Sequence, residues 1–276
     1  MSELRLNPVT GQWVIIAGER QRRPHHFPRS QRRRSLPSYL ADCPFCPGNE
    51  GSTPAHNRFP ADRSEEEMAL LERAYQERYR ALAAQPSTRY LLIFKNHGQE
   101  AGTSIQHPHS QIIAAPVVPA SVQRRGQMAS EHHRREGRCL HCHLAQEEIR
   151  AGSRVVYRDE HLLVFHPFAA AHPGETWIVP LEHQPSFGQV SERGLCRFAS
   201  ALRRTLRQLS MAFGDPHFNY AIHSAPPGEE GTPYWHWYLQ LVPRLTKAAG
   251  FELGSGIYIN VAPPEETAAA MRQAPA

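Results

Sequence analysis

A chain of 276 residues, 40% hydrophobic and 21% charged, has enough apolar material for one large domain or two of ordinary size. It opens without the apolar segment of a secretory leader, and no apolar run approaches a membrane span. A cytoplasmic protein with no membrane partner is therefore expected. The formal net charge of +5 is modest and carried almost wholly by arginine. The basic clusters at Arg20–Arg23 and Arg32–Arg34 could steer phosphate-bearing ligands or bind nucleic acid; the 32–34 run reads rather as a solvated arm, so no nucleic-acid partner is expected.

In chain order, Asn7-Pro8-Val9-Thr10-Gly11-Gln12 is a turn signal, followed by a short strand at Trp13–Ile16. Residues 24–41 are rich in Pro, Arg and Ser and read as loop. Cys43-Pro44-Phe45-Cys46-Pro47-Gly48 is a tight knuckle that brings two thiols towards one point. Ser64 and Glu67 fit a capping box opening a helix, with Met68, Leu71, Tyr75, Tyr79 and Leu82 at helical spacing and Pro86 beyond its end. Tyr90–Phe94 is a strand, and Lys95-Asn96-His97-Gly98 begins a loop. That loop leads to Gly102–Ala114, whose centre is His107-x-His109-x-Gln111. If this segment is a strand, residues 107, 109 and 111 share one face, and Pro108 suits its start or an edge. Two imidazoles and an amide there can ligate a metal, attack phosphorus and orient its oxygens; a strand end with incidental histidines is the plainer alternative.

Residues 119–137 are polar and helical and join two halves. Strands are expected at Arg154–Tyr157, Leu162–Phe165 and Thr176–Pro180. A helix follows with Leu195, Phe198, Leu202, Leu206 and Leu209 on one face, then strands at Phe218–His223, Tyr234–Pro243 and Gly254–Val261, and a loose tail.

The cysteines are Cys43, Cys46, Cys139, Cys142 and Cys196, four of them in two C-x-x-C pairs. Without a secretion signal such pairs favour metal over disulfides, and neither shows the strand-to-helix setting of a redox pair, so zinc leads. The order of parts then repeats: C-x-x-C, a histidine after a turn, a helix, a strand, and His-x-His/Tyr-x-Gln. Cys43, Cys46, His56 and His107 form one Cys₂His₂ set, and Cys139, Cys142, His183 and His236 form the other. The two histidines of each set lie 51 and 53 residues apart. His109 corresponds to Tyr238, a poor nucleophile at neutral pH, so only the first half carries a reactive centre.

Trp13 with Arg20, Arg23 and Pro24, the Cys43–Glu50 run, Phe94-Lys95-Asn96 with Gly98, and His107-Pro108-His109-Ser110-Gln111 together resemble galactose-1-phosphate uridylyltransferase. That family is the transferase branch of the histidine-triad superfamily. The resemblance covers nearly the whole chain, through Phe251 and Glu252. It implies an α+β fold of two histidine-triad-like halves, 1–118 and 119–276, each an antiparallel-rich sheet with a packed helix. It also implies a ping-pong exchange in which His109 takes the uridylyl group of UDP-glucose and galactose 1-phosphate carries it off as UDP-galactose. Gln111 and Ser104 would bond the phosphoryl oxygens, Asn96 would seat the nucleotide, Arg20 and Arg23 would face phosphate, and Phe251 and Glu252 would line the substrate site. Zinc would hold the catalytic strand, and the enzyme would be a homodimer.

Two departures stand out. Tyr238 breaks the His-x-His that holds iron in some relatives, so iron is not expected. Cys142 and His183 are 41 residues apart but Cys46 and His56 only 10, which shortens the first half near 47–56. Ten residues still reach about 33 Å, enough for ligation. The loss falls on strands that contact the nucleoside in relatives, and it would leave a sheet edge exposed. Two other readings follow: a related nucleoside-diphosphate-sugar phosphorylase or adenylyltransferase, and a non-catalytic zinc-stabilised remnant.

Overall fold

The computed structural model describes residues 2–18, 38–39, 43, 46, 59–103, 105 and 107–275. Helix α1 spans Glu65–Ala83. Its capping box forms as expected, with Ser64 Oγ accepting from Glu67 N and the Glu67 carboxylate accepting from Ser64 N. Such a cap contributes about 1 kcal/mol. Its inner face buries Met68, Tyr75 and Tyr79, and also the polar Glu72 and Gln76. Helices α2 (Ala120–Glu136) and α3 (Leu140–Ala151) follow. Helix α4, Glu192–Phe213, buries all five of its expected apolar residues and stops at left-handed Gly214.

A small sheet pairs β1 (Glu3–Leu6) antiparallel with β2 (Trp13–Ile16), and β10 (Tyr258–Asn260) parallel with β2. The main sheet contains β3 (Tyr90–His97), β4 (Gln111–Ala115), β5 (Val155–Arg158), β6 (Leu162–Phe165), β7 (Thr176–Pro180), β8 (Phe218–His223) and β9 (Tyr238–Pro243). It is antiparallel throughout, in the order β4-β3-β8-β9-β7-β6-β5. The α+β expectation holds. Among the described residues β4 is an edge strand, as the shortened first half implies.

Strands β3 and β8 meet at Phe94↔Ala221, whose other neighbours are Gln111 and Gln240. Four residues thus cross the sheet in a symmetric row, and an approximate twofold relates the two helix–strand–strand units about its middle. One face of the sheet packs on α1 and α4, with Leu91, Ile93, Tyr220, Ile222, Leu239 and Leu241 pointing into that core. On the other face, α3 and Val9 cover the second half, packing on Leu163, Phe165, Trp177, Val179 and Tyr238.

Several elements differ from expectation. Strand β3 continues through Lys95, Asn96 and His97, because β8 offers that stretch a second ladder. Strand β9 begins only at Tyr238, since the Trp237 N–H turns aside to the Gln184 carbonyl. A short helix, α5 (Gly250–Ser255), replaces the start of the last strand. The tail is not loose: Pro264 opens helix α6, Pro264–Gln273, with Glu265 and Glu266 in its first turn and Met271 fully buried. Arg5 and Arg154 both pair with Glu265, at 3.0 and 2.9 Å, tying α6 to β1 and to the chain entering β5.

Candidate metal centres and nucleophile

The second Cys–His set is complete in the structure. Cys139 caps the N-terminus of α3 and Cys142 lies in its first turn, which places both thiols at one helix end. Cys142 Sγ lies 3.6 Å from Nδ1 of both His183 and His236, and Cys139 Sγ lies 3.8 Å from His236 Nδ1. A tetrahedron built on usual zinc–sulfur and zinc–nitrogen bonds has edges of about 3.6 Å. His236 Nε2 is 3.1 Å from the Pro180 carbonyl. A carbonyl only accepts, so that nitrogen carries the proton and Nδ1 turns its lone pair to the sulfurs. Burial holds His236 below the ordinary imidazole range, and a hydrogen bond from the Cys142 thiol holds Cys139 well below the usual thiol value. A neutral imidazole and a thiolate are what a metal needs.

The first set repeats this around His107, which is buried with Cys43 and Cys46. Both sulfurs lie 3.8 Å from its Nδ1, and the Cys46 N–H bonds the Cys43 carbonyl at 3.2 Å to close the knuckle. His56, the expected fourth ligand, lies outside the described residues.

His107 and His109 precede the ladder of β4 instead of lying within it. Their expected kinship survives because His109 folds back: its Nδ1 is 2.8 Å from the His107 carbonyl. Nδ1 therefore holds the proton, and Nε2 carries the lone pair. Gln111 is exposed and its amide nitrogen is 3.3 Å from that Nε2. Asn96 lies on the same face two residues beyond Phe94, and its Oδ1 accepts from Asn219 Nδ2 at 2.7 Å. Arg244 Nε donates to Asn219 Oδ1 at 2.5 Å, completing a chain of three polar groups. Phe251 and Glu252 sit apart on exposed α5, where Glu252 accepts the Ala249 N–H as a cap. Arg20, Arg23 and Ser104 lie outside the described residues.

The counterparts in the second half are consumed internally. Gln240 donates to Glu175 Oε1 at 2.8 Å and accepts from His223 Nε2 at 3.0 Å. His223 in turn accepts from Arg125 at 2.8 Å, and burial first, then that guanidinium, drives its imidazole far below the usual range. Tyr238 is buried, its ring tilted against those of Trp177, His141 and His223. Sequence reasoning missed this network, and it missed Lys95, whose ammonium bonds the His109 carbonyl at 2.7 Å. A lysine at a core-facing strand position was the available signal.

An antiparallel sheet that carries two Cys–His clusters, one of them beside a part-exposed histidine, is the fold and site to be compared with known proteins. Residues 53–119 match the family described as galactose-1-phosphate uridyl transferase, N-terminal domain. The chain is 31% identical to ADP-glucose phosphorylase of Arabidopsis thaliana, over 98% of this chain and 92% of that protein. It is 26% identical to galactose-1-phosphate uridylyltransferase of Thermotoga maritima, over 99% and 98%. The crystal structure of the Arabidopsis ADP-glucose phosphorylase with bound ADP-glucose superposes with a TM-score of 0.86, at 29% identity, covering 100% of this chain and 99% of that one. The chain belongs to the galactose-1-phosphate uridylyltransferase family of nucleotidyltransferases. The alignment with the Arabidopsis protein spans 330 positions against 276 residues here, so that relative carries stretches this chain lacks.

Proposed function

We propose that the chain moves a nucleoside monophosphate from a nucleoside diphosphate sugar to a phosphate acceptor through a nucleotidyl-histidine at His109. One observation carries the reading: the His109 Nδ1 proton is committed to the His107 carbonyl, which leaves Nε2 as a directed nucleophile. Nε2 attacks the α-phosphorus, the bond to the β-phosphate oxygen breaks, and the sugar 1-phosphate departs. An oxygen of the acceptor phosphate then attacks the same phosphorus, the P–N bond breaks, and neutral imidazole returns. Gln111 swings its amide from Nε2 to a phosphoryl oxygen, and Asn96 with Ser104, Arg20 and Arg23 holds the nucleotide and its charge. Phe251 and Glu252 belong to the substrate side and a homodimer to the assembly. Cys43, Cys46, His56 and His107 would hold zinc, and so would Cys139, Cys142, His183 and His236. In this reading the metal fixes the fold around the nucleophile rather than activating water.

The preferred donor is ADP-glucose and the preferred acceptor inorganic phosphate, which gives ADP and glucose 1-phosphate. The 31% identity and TM-score of 0.86 with the Arabidopsis phosphorylase support this choice. The second reading is uridylyl exchange between UDP-glucose and galactose 1-phosphate, supported by the family match and the Thermotoga relative.

Incubation with ADP-glucose or UDP-glucose labelled at the α- or the β-phosphate tests both. The α label alone should remain on the protein, acid-labile and base-stable, and should be discharged by phosphate. Discharge by galactose 1-phosphate alone selects the second reading. A folded, metal-loaded sample that retains neither nucleotide points to the non-catalytic remnant.

A further inference from the structure

Behind the His109 loop, on the helix side of the sheet, lies a group of buried polar side chains that the chemistry above does not use. Lys95 is 3% exposed, and its Nζ donates to the His109 carbonyl at 2.7 Å. The β4 ladder starts two residues later at Gln111, so Lys95 grips a carbonyl outside the ladder. Beside it the Tyr75 hydroxyl, from α1, bonds Ser110 Oγ and meets the Tyr220 hydroxyl at 2.9 Å. Glu72 lies next to these tyrosines, fully buried, with neither carboxylate oxygen hydrogen-bonded.

The approximate twofold provides a control for this arrangement. The registers that align Phe94 with Ala221 and Gln111 with Gln240 place Lys95 opposite Ile222 in role, and Ser110 opposite Leu239. Both counterparts are apolar and buried in the same core. The second half therefore builds the equivalent sheet without any buried polar group at these positions. Burying an amine and hydroxyls costs more than burying isoleucine and leucine. Of the chain's arginines and lysines only Lys95 and Lys247 are lysine. Burial, with Arg63 adding repulsion, pushes the Lys95 ammonium down to about 7. A guanidinium could not shed its charge in such a place.

We infer that Lys95, assisted by the Tyr75–Ser110 pair, is a positioning residue that fixes the His109 peptide from the buried side and so aims Nε2 at the α-phosphorus. The inference rests on the nucleotidyl-transfer reading above. A support of this kind acts on the transfer step and leaves ground-state binding of the nucleotide sugar alone.

The test measures the single-turnover rate of His109 labelling, and KM, for wild type, Lys95→Met and Tyr75→Phe, with thermal unfolding and metal content as controls. Lys95→Met is expected to slow labelling at least tenfold with KM within twofold and metal content unchanged. Tyr75→Phe, which removes one hydroxyl, is expected to slow it about threefold to fivefold. A folded Lys95→Met that labels at the wild-type rate, or that raises KM alone, overturns the inference. If Lys95→Met does not fold, Tyr75→Phe decides: a slowed transfer step upholds the inference and an unchanged one overturns it. A wild type that forms no adduct overturns the underlying reading and this inference with it, whereas labelling that ignores both substitutions overturns this inference alone.

Discussion

The strand carrying Gln111 and the strand carrying Gln240 occupy equivalent places in one sheet, yet their surroundings are opposite. Around Gln111 no described element lies over the face: the glutamine is exposed, and His109 is part-exposed with its Nδ1 proton on the His107 carbonyl. Around Gln240 the face is sealed by α3 and Val9, leaving a cavity of about 10 Å³ among Val9, Tyr90, Arg125, His141, His223 and Tyr238. Such a space holds at most about one water molecule. The helix side reverses the contrast, with polar groups behind the His109 loop and apolar ones behind Tyr238. One half spends apolar packing to hold a loop in place, and the other is filled in as scaffold. On the proposed function, the difference teaches that a reactive centre at His109 depends on access and support as much as on which residue follows the histidine of the Cys–His cluster.

The sharpest way to break this comparison is to move the nucleophile. His109→Ala should abolish the covalent adduct and lower turnover on the order of 10⁴-fold. Adding Tyr238→His to that variant should restore no adduct by the labelling assay, because the site is covered. An adduct on residue 238 would show that burial is not what silences the second half. Metal quantitation should find about two zinc ions per chain on the four-ligand rule. Cys43→Ser should remove one of them and lower activity about 100-fold. Cys139→Ser should remove the other and act chiefly on stability, with thermal unfolding as the readout.

The paired glutamines give a subtler contrast. Gln111→Ala should lower the transfer rate about tenfold with little change in unfolding temperature. Gln240→Ala leaves Glu175 and His223 short of partners and should cost about 1–3 kcal/mol of stability. A last prediction concerns His166, buried against Thr267 and Met271, whose imidazole burial lowers to about 3. The unfolded chain takes up this proton near pH 6.5 and the folded chain does not. Stability should therefore be full above that value and fall by up to about 1.4 kcal/mol per unit as pH drops towards 3. His166→Gln should flatten the slope between pH 6.5 and 4 in urea titrations.

Local chemistry in the sequence was enough for the capping box at Ser64 and Glu67, the apolar stripe of α4, and the gathering of Cys43 and Cys46 at His107 and of Cys139, Cys142 and His183 at His236. Each of these is written in residues close together or at a fixed period, so spacing alone reveals it. The correspondence in position of His109 and Tyr238 was legible for the same reason. The tertiary structure alone decided the rest. Helix α6 looked like a loose tail because its anchor, Met271, finds its partners on distant elements. Strand β3 outran its expected end because β8, more than a hundred residues away, completes its hydrogen bonds. Lys95 read as the start of a loop until the sheet placed it in the core under the His109 carbonyl. Solvent access is likewise a property of the packed chain: Gln111 is exposed and Tyr238 buried because, among the described residues, α3 lies over only the second of them.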